Sequence, residues 1–248
     1  MIDRYRGIRS GIGRFAATPR RVRNGIASNA AALVLGALLL APSPAGAVTD
    51  AELATNARLL LSVRNEDSSG VARALHDGAA VNSRTRLGES GLLLALKRNR
   101  ADIAQALLAA GADVNLPAIN GITPLMAAAY GGQVEVTRAL LARGADPAAT
   151  DRLGKNAITY AAGEGHTDVV RLLLTKGIDP NAVYRNDLTA LMWAAGYGHA
   201  DTARVLIEAG ARVDLVDNRG KSALDMAREF KHADTVEVLE HARRATPH

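Results

Sequence analysis

Three of the six histidines, His166, His199 and His232, look like a candidate cluster, of a type that could bind a metal or pass protons. They stand 33 residues apart, and that regularity reads as one helix-start position met in successive units. No His-Glu-x-x-His or other short ligand spacing is present, and with no cysteine there is no soft ligand, so neither a metal nor a cofactor is expected. Glu164 and Asp168 are one helical turn apart, as on a solvated helix face. Gly163-Glu164-Gly165 belongs to a turn between helices, the chain lacks a phosphate loop, and no serine sits on a nucleophile elbow. No catalytic residue is named, and the chain reads as non-enzymatic. Recognition chemistry remains. Tyr130, Tyr160, Tyr184, Trp193, Tyr197 and Phe230 are the aromatics beyond the first 50 residues, and tyrosine, tryptophan and arginine dominate protein-binding hot spots. Arg86, Arg152, Tyr184, Arg185, Trp193 and Tyr197 are accordingly the candidate protein-binding residues. Tyr184 and Arg185 are expected at an exposed loop tip. Tyr160 and Trp193 hold equivalent positions that suit packing between units or facing a partner equally well.

A repeat must position these side chains. Gly78, Gly111, Gly144, Gly177 and Gly210 are spaced by 33 residues. A second column, Gly88, Gly121, Gly154 and Gly220, keeps the same step and is broken only by Asp187. A third reads Ser90, Thr123, Asn156, Thr189, Ser222. Every member of the third column is a good helix N-cap, whose side-chain oxygen takes a backbone N–H left without a partner in the first turn.

The unit is clearest over Leu116 to Ala148. Thr123-Pro124-Leu125 caps and opens a first helix, Ala128 and Ala129 are small packing residues, and Gly132 ends the helix. Val134, Val136, Ala139, Leu140 and Leu141 then form the apolar stripe of a second helix, closed by Gly144. This unit resembles the ankyrin repeat. In place of the family's usual helix-signature histidine, the chain has Leu93, Met126, Thr159, Met192 and Asp225. The resemblance implies an all-α ankyrin-repeat solenoid of about six helix-turn-helix units with short β-hairpin fingers. The divisions are a degenerate capping repeat at 48–82, repeats at 83–115, 116–148, 149–181 and 182–214, and a C-terminal capping repeat at 215–248. One helix pair cannot bury its own apolar face, so the units must share a core. The resemblance also implies that fingers and first helices line a concave face on which a protein partner docks. Exported bacterial ankyrin proteins look similar, and some support envelope enzymes or neutralise toxins. That leaves a scaffold, a stress-protective or toxin-neutralising accessory, and, less favoured, a secreted effector acting in a host.

The N-terminal segment is of another kind. Residues 1–29 carry seven arginines against one acid, and then the apolar run Ala30 to Ala41 leads to Pro42, Pro44 and Ala45-Gly46-Ala47. That order is a secretory signal peptide over 1–47, with cleavage expected after Ala47. Its twelve apolar residues are too few to span a bilayer comfortably, so no permanent membrane anchor is expected. General secretion is favoured over the twin-arginine route, because Pro19 precedes Arg20-Arg21 and Arg23-Asn24 follow where apolar residues are wanted. The destination is the periplasm or the cell exterior. Removing seven arginines and one aspartate from 30 basic and 25 acidic residues leaves 23 and 24, a net charge of −1. The basic character therefore belongs to the signal, and nucleic acid is not an expected partner. Nothing in the sequence demands a dimer, and a monomer is expected.

Overall fold

A computed structural model describes residues 49–245 of the chain. The signal-peptide expectation for 1–47 lies outside the described residues. The helices come in pairs: α1 Asp50–Arg64 and α2 Ser68–His76, α3 Gly91–Lys97 and α4 Ala101–Ala109, α5 Pro124–Tyr130 and α6 Val134–Ala142. Then follow α7 Ala157–Glu164 and α8 Thr167–Leu174, α9 Ala190–Tyr197 and α10 Ala200–Glu208, α11 Ala223–Glu229 and α12 Ala233–Ala245. First helices stack on first helices (α1, α3, α5, α7, α9, α11) and second on second, giving two layers.

The first helices begin where they do because of their caps. Ser90, Thr123, Asn156, Thr189 and Ser222 each accept the N–H of the residue three positions on. That residue is the one that departs from the family signature. At Thr159 and Asp225 the departure closes a second bond, from the N-cap N–H to the Thr159 hydroxyl (3.0 Å) and to an Asp225 carboxylate oxygen (3.0 Å). Fully buried Leu92, Leu96, Leu125, Leu140, Ile158 and Leu173 fill the space between the layers. The alanine pairs 128–129, 161–162 and 194–195 have no exposure, and their small side chains let successive first helices approach closely.

The fingers are tight turns, and two of them carry a single antiparallel bridge pair. Each is closed by a bond from an N–H to the carbonyl four residues on, Thr85 to Glu89, Ala118 to Ile122, Asp151 to Lys155, Tyr184 to Leu188 and Asp217 to Lys221, at 2.8–3.0 Å, and by a second bond back to the first residue's carbonyl from the N–H three residues on, at 2.8–2.9 Å. Bridge pairing occurs only at Arg84 with Ser90 and Val216 with Ser222, and no strand is found among the described residues. Pairing stops at the N-cap, where the chain turns into a helix. Successive fingers join through Ile119 N–H to Leu87 O (3.0 Å), Arg152 N–H to Asn120 O (3.0 Å) and Asn218 N–H to Asn186 O (3.1 Å). Asp187, read in the sequence as a break in the glycine column, keeps the glycine conformation with φ 58°, which aspartate tolerates better than most residues.

A column of which the sequence marks only Gly132 as a helix end governs how units join. Glu66, Asn99, Gly132, Gly165, Gly198 and Lys231 all have φ between 56° and 80°. Lys231 is exposed and meets the conformational cost with nothing gained. Lys231→Gly is expected to raise stability by about 1 kcal/mol, read as a higher urea midpoint at unchanged m-value; a lower midpoint would contradict the strain.

Candidate protein-interaction site

Glu89 and Lys97, eight residues apart, pair at 2.7 Å in one unit, and Lys221 pairs with Glu229 at the same positions near the C-terminus. In the central unit the corresponding residues are Lys155 and Gly163. A Cβ on Gly163 would lie 3.6 Å from Trp193 Cε3 and 3.8 Å from Tyr197 Cδ2, so the rings occupy the space beside it. Lys155 is 7% exposed, with its Nζ 5.0 Å from the Tyr160 ring centroid and 4.7 Å from that of Trp193. Burial lowers its pKa, against the opposing pull of Asp151 and Glu164. A desolvated ammonium over an aromatic face gains about 2 kcal/mol, which offsets part of the cost of burying it.

Asp151 organises the finger beneath. One carboxylate oxygen accepts the N–H groups of Leu153 (2.8 Å) and Lys155 (2.9 Å), and the other accepts the Tyr160 hydroxyl at 2.5 Å. Burial, then this bond, raises the Tyr160 pKa, so the phenol stays a donor. Tyr160 also meets Tyr130 edge to face, centroids 6.1 Å apart.

The sequence-predicted residues fall into two sets. Trp193 and Tyr197 stack with centroids 6.0 Å apart and planes 8° from parallel. Trp193 is buried and Tyr197 half-buried. Arg86, Arg152 and Arg185 are exposed at finger tips. Tyr184 departs from its expected exposure. It is half-buried because its hydroxyl accepts a 2.7 Å bond from Asn156 Nδ2, the amide whose oxygen caps α7, and burial raises its pKa. Lys155 and Asp151 drew no attention in the sequence; the visible signal was a lysine set immediately before a buried N-cap asparagine.

The histidine column acts between units. His166, His199 and His232 precede α8, α10 and α12, yet none caps its own helix through its side chain. Each Nε2 donates instead to a carbonyl 36 residues back: Tyr130 (2.9 Å), Gly163 (3.1 Å) and Gly196 (3.2 Å). These carbonyls lie in the last turn of the preceding first helix, where no intrahelical donor remains. Gln133 does the same to Leu96 O (2.8 Å), and Arg100 donates to Glu66 O (2.7 Å) just beyond the end of α1. Each imidazole also lies against the left-handed glycine of the preceding joint: a Cβ on Gly132, Gly165 or Gly198 would come within 2.5–2.6 Å of Nδ1 of His166, His199 or His232 respectively. Among the described residues no group of histidines and carboxylates is arranged to hold a metal.

The fold and its joints define a class: a repeat protein that presents a surface rather than enclosing a site. The family description Ankyrin repeats (3 copies) matches residues 59–151, 92–184 and 159–246, so the chain belongs to the ankyrin-repeat family. No curated protein matches the chain. Ankyrin repeats make the protein a protein–protein interaction module, in a family whose domains generally bind rather than catalyse. No helix among the described residues is long and apolar enough to cross a membrane.

Proposed function

We propose that the chain is exported by a cleaved signal peptide and works in the cell envelope or outside the cell as a non-enzymatic scaffold. It holds a protein partner on the face that carries the fingers and first helices. One observation supports this choice of face. Of the seven exposed large hydrophobics among the described residues, five (Leu87, Ile119, Leu153, Val183 and Val216) are on fingers, and the other two, Leu53 and Leu61, are on α1. Apolar side chains left in water along one edge and interspersed with arginines have the composition of a docking surface.

Two measurements test the reading. Export predicts that the protein recovered from the envelope begins at Val48; recovery of the intact N-terminus in the cytosol refutes it. For the face, the full chain and a Trp193→Ala, Tyr197→Ala variant are used to capture partners from envelope extract, with circular dichroism checking that the variant is folded. A single protein held by the parent and lost by the folded variant supports a dedicated partner on this face. An identical catch rejects the face and returns the protein to a stress-protective role without one tight partner.

A further inference from the structure

We infer that the finger edge recognises an extended acidic segment of its partner, with acidic side chains recurring at every third residue and one apolar side chain interrupting them. The inference rests on the proposed scaffold reading and names the partner's chemistry. Equivalent positions on successive fingers are Arg86, Ile119, Arg152 and Arg185. The three arginines are exposed, and no ion pair or side-chain hydrogen bond engages them among the described residues. Other finger arginines behave differently: Arg84, beside Arg86, bonds the carbonyls of Gly88 and Pro117, and Arg219, on the last finger, pairs with Asp217 at 2.7 Å. Three guanidiniums are thus held out to solvent where the fold could have neutralised them.

The row is fixed in place. Ile119 packs over Gly88, with Cγ1 3.1 Å from where a Cβ would stand. The Arg152 backbone covers Gly121 (3.1 Å), and the Arg185 Cβ covers Gly154 (2.8 Å). Helices stacked in a layer lie about 8–10 Å apart, so equivalent finger residues recur at about that interval. A polyproline II chain has about three residues per turn and rises about 3.1 Å per residue, so every third side chain points the same way and meets the next finger. The edge reads basic, apolar, basic, basic, which selects acidic, apolar, acidic, acidic at three-residue steps. Leu87 and Leu153, exposed beside Arg86 and Arg152, favour a polypeptide over a phosphate polymer, because they offer apolar contact to intervening side chains and nothing to a sugar-phosphate backbone. A carboxylate also matches the guanidinium fork, so each pairing gains geometry as well as charge.

The test uses the full chain and an Arg86→Gln, Arg152→Gln, Arg185→Gln variant, which share the arginine-rich N-terminal segment, so that the difference between them reports the fingers alone. Fluorescence anisotropy follows three labelled probes: the peptide Asp-x-x-Leu-x-x-Asp-x-x-Asp with x as Ser or Thr, a scrambled peptide with the acids contiguous, and a twelve-nucleotide oligothymidylate. The expected result is binding of the spaced peptide, weakened about tenfold or more both by the triple substitution and by scrambling. Equal affinity for the two peptides, or no difference between parent and variant, overturns the inference. Stronger binding of the oligonucleotide that the variant loses overturns it too, assigning the row to a polyanion. Failure here leaves the scaffold reading to the envelope capture with the Trp193, Tyr197 variant, so the two fail separately.

Discussion

Asp151→Ala is expected to lower the unfolding free energy by about 3–5 kcal/mol, a fall in Tm of roughly 10 °C for a domain of this length. The side chain lost is 7% exposed and serves three donors at once, the Leu153 and Lys155 N–H groups and the Tyr160 hydroxyl. Alanine leaves all three in a site with little access to water, where each unsatisfied donor costs about 1–3 kcal/mol. It also removes the carboxylate whose charge opposes the lowering of the Lys155 pKa. Two companion variants separate these effects. Asp151→Asn keeps one acceptor oxygen and is expected to lose about half as much. Asp151→Ala combined with Lys155→Met is expected to be less damaging than Asp151→Ala alone, because no buried ammonium is left without its acid; the coupling in this double-mutant cycle should be about 1–2 kcal/mol. Urea unfolding of the four proteins measures all of it. A loss below about 1 kcal/mol for Asp151→Ala would mean that the finger is solvated and the cluster is not a unit.

His199→Ala should cost about 1–3 kcal/mol at neutral pH by stranding the Gly163 carbonyl, and should also change how stability depends on pH. Burial lowers the His199 pKa from its ordinary value of 6.5; Glu164 and the Gly163 bond act in the opposite direction, and His166 and His232 add to the lowering. The unfolded chain takes up a proton near pH 6.5, whereas the folded chain takes it up only at lower pH. Between those values the unfolded state binds more protons, so stability rises with pH. The contribution is complete above about pH 6.5 and is lost as the pH falls toward the folded value. His199→Ala should therefore flatten the stability profile below about pH 6.5. His199→Gln keeps an N–H donor, as Gln133 does at its own joint, and should recover stability at neutral pH while leaving the flattened profile. Retention of the parent's acid slope in both variants would show that another group titrates there.

What could be read in the sequence was what acts locally. The five N-caps were legible because a cap bonds three residues ahead, within one window of the chain. The paired helices followed from their apolar stripes. The histidines were placed at helix starts, but their bonds reach 36 residues back, and a column in a repeat shows that a position matters without showing which unit it touches. The burial of Tyr184 escapes a local reading for the same reason, its partner being Asn156, 28 residues earlier. Asp187 looked like a break because residue type was read in place of backbone conformation. Lys155 was invisible because its column, Glu89, Ile122, Leu188 and Lys221, has no common chemistry. The arginines of the finger edge could be named in advance, whereas their lack of neutralising neighbours is a property of the folded surface alone.

The glycine and histidine at each joint also determine which parts of the chain are interchangeable. Residues 166–198 begin on His166 and end on Gly198, so a second copy spliced after Gly198 would meet both neighbours through the same pair and lengthen the stack without a new fit. Residues 100–132 offer no such freedom. A duplicate would set an arginine against Asn99 where Gln133 now sits, and Gln133 against a joint it does not serve. Residues 166–198 thus form a unit whose joints repeat, whereas residues 100–132 are fitted to their own place.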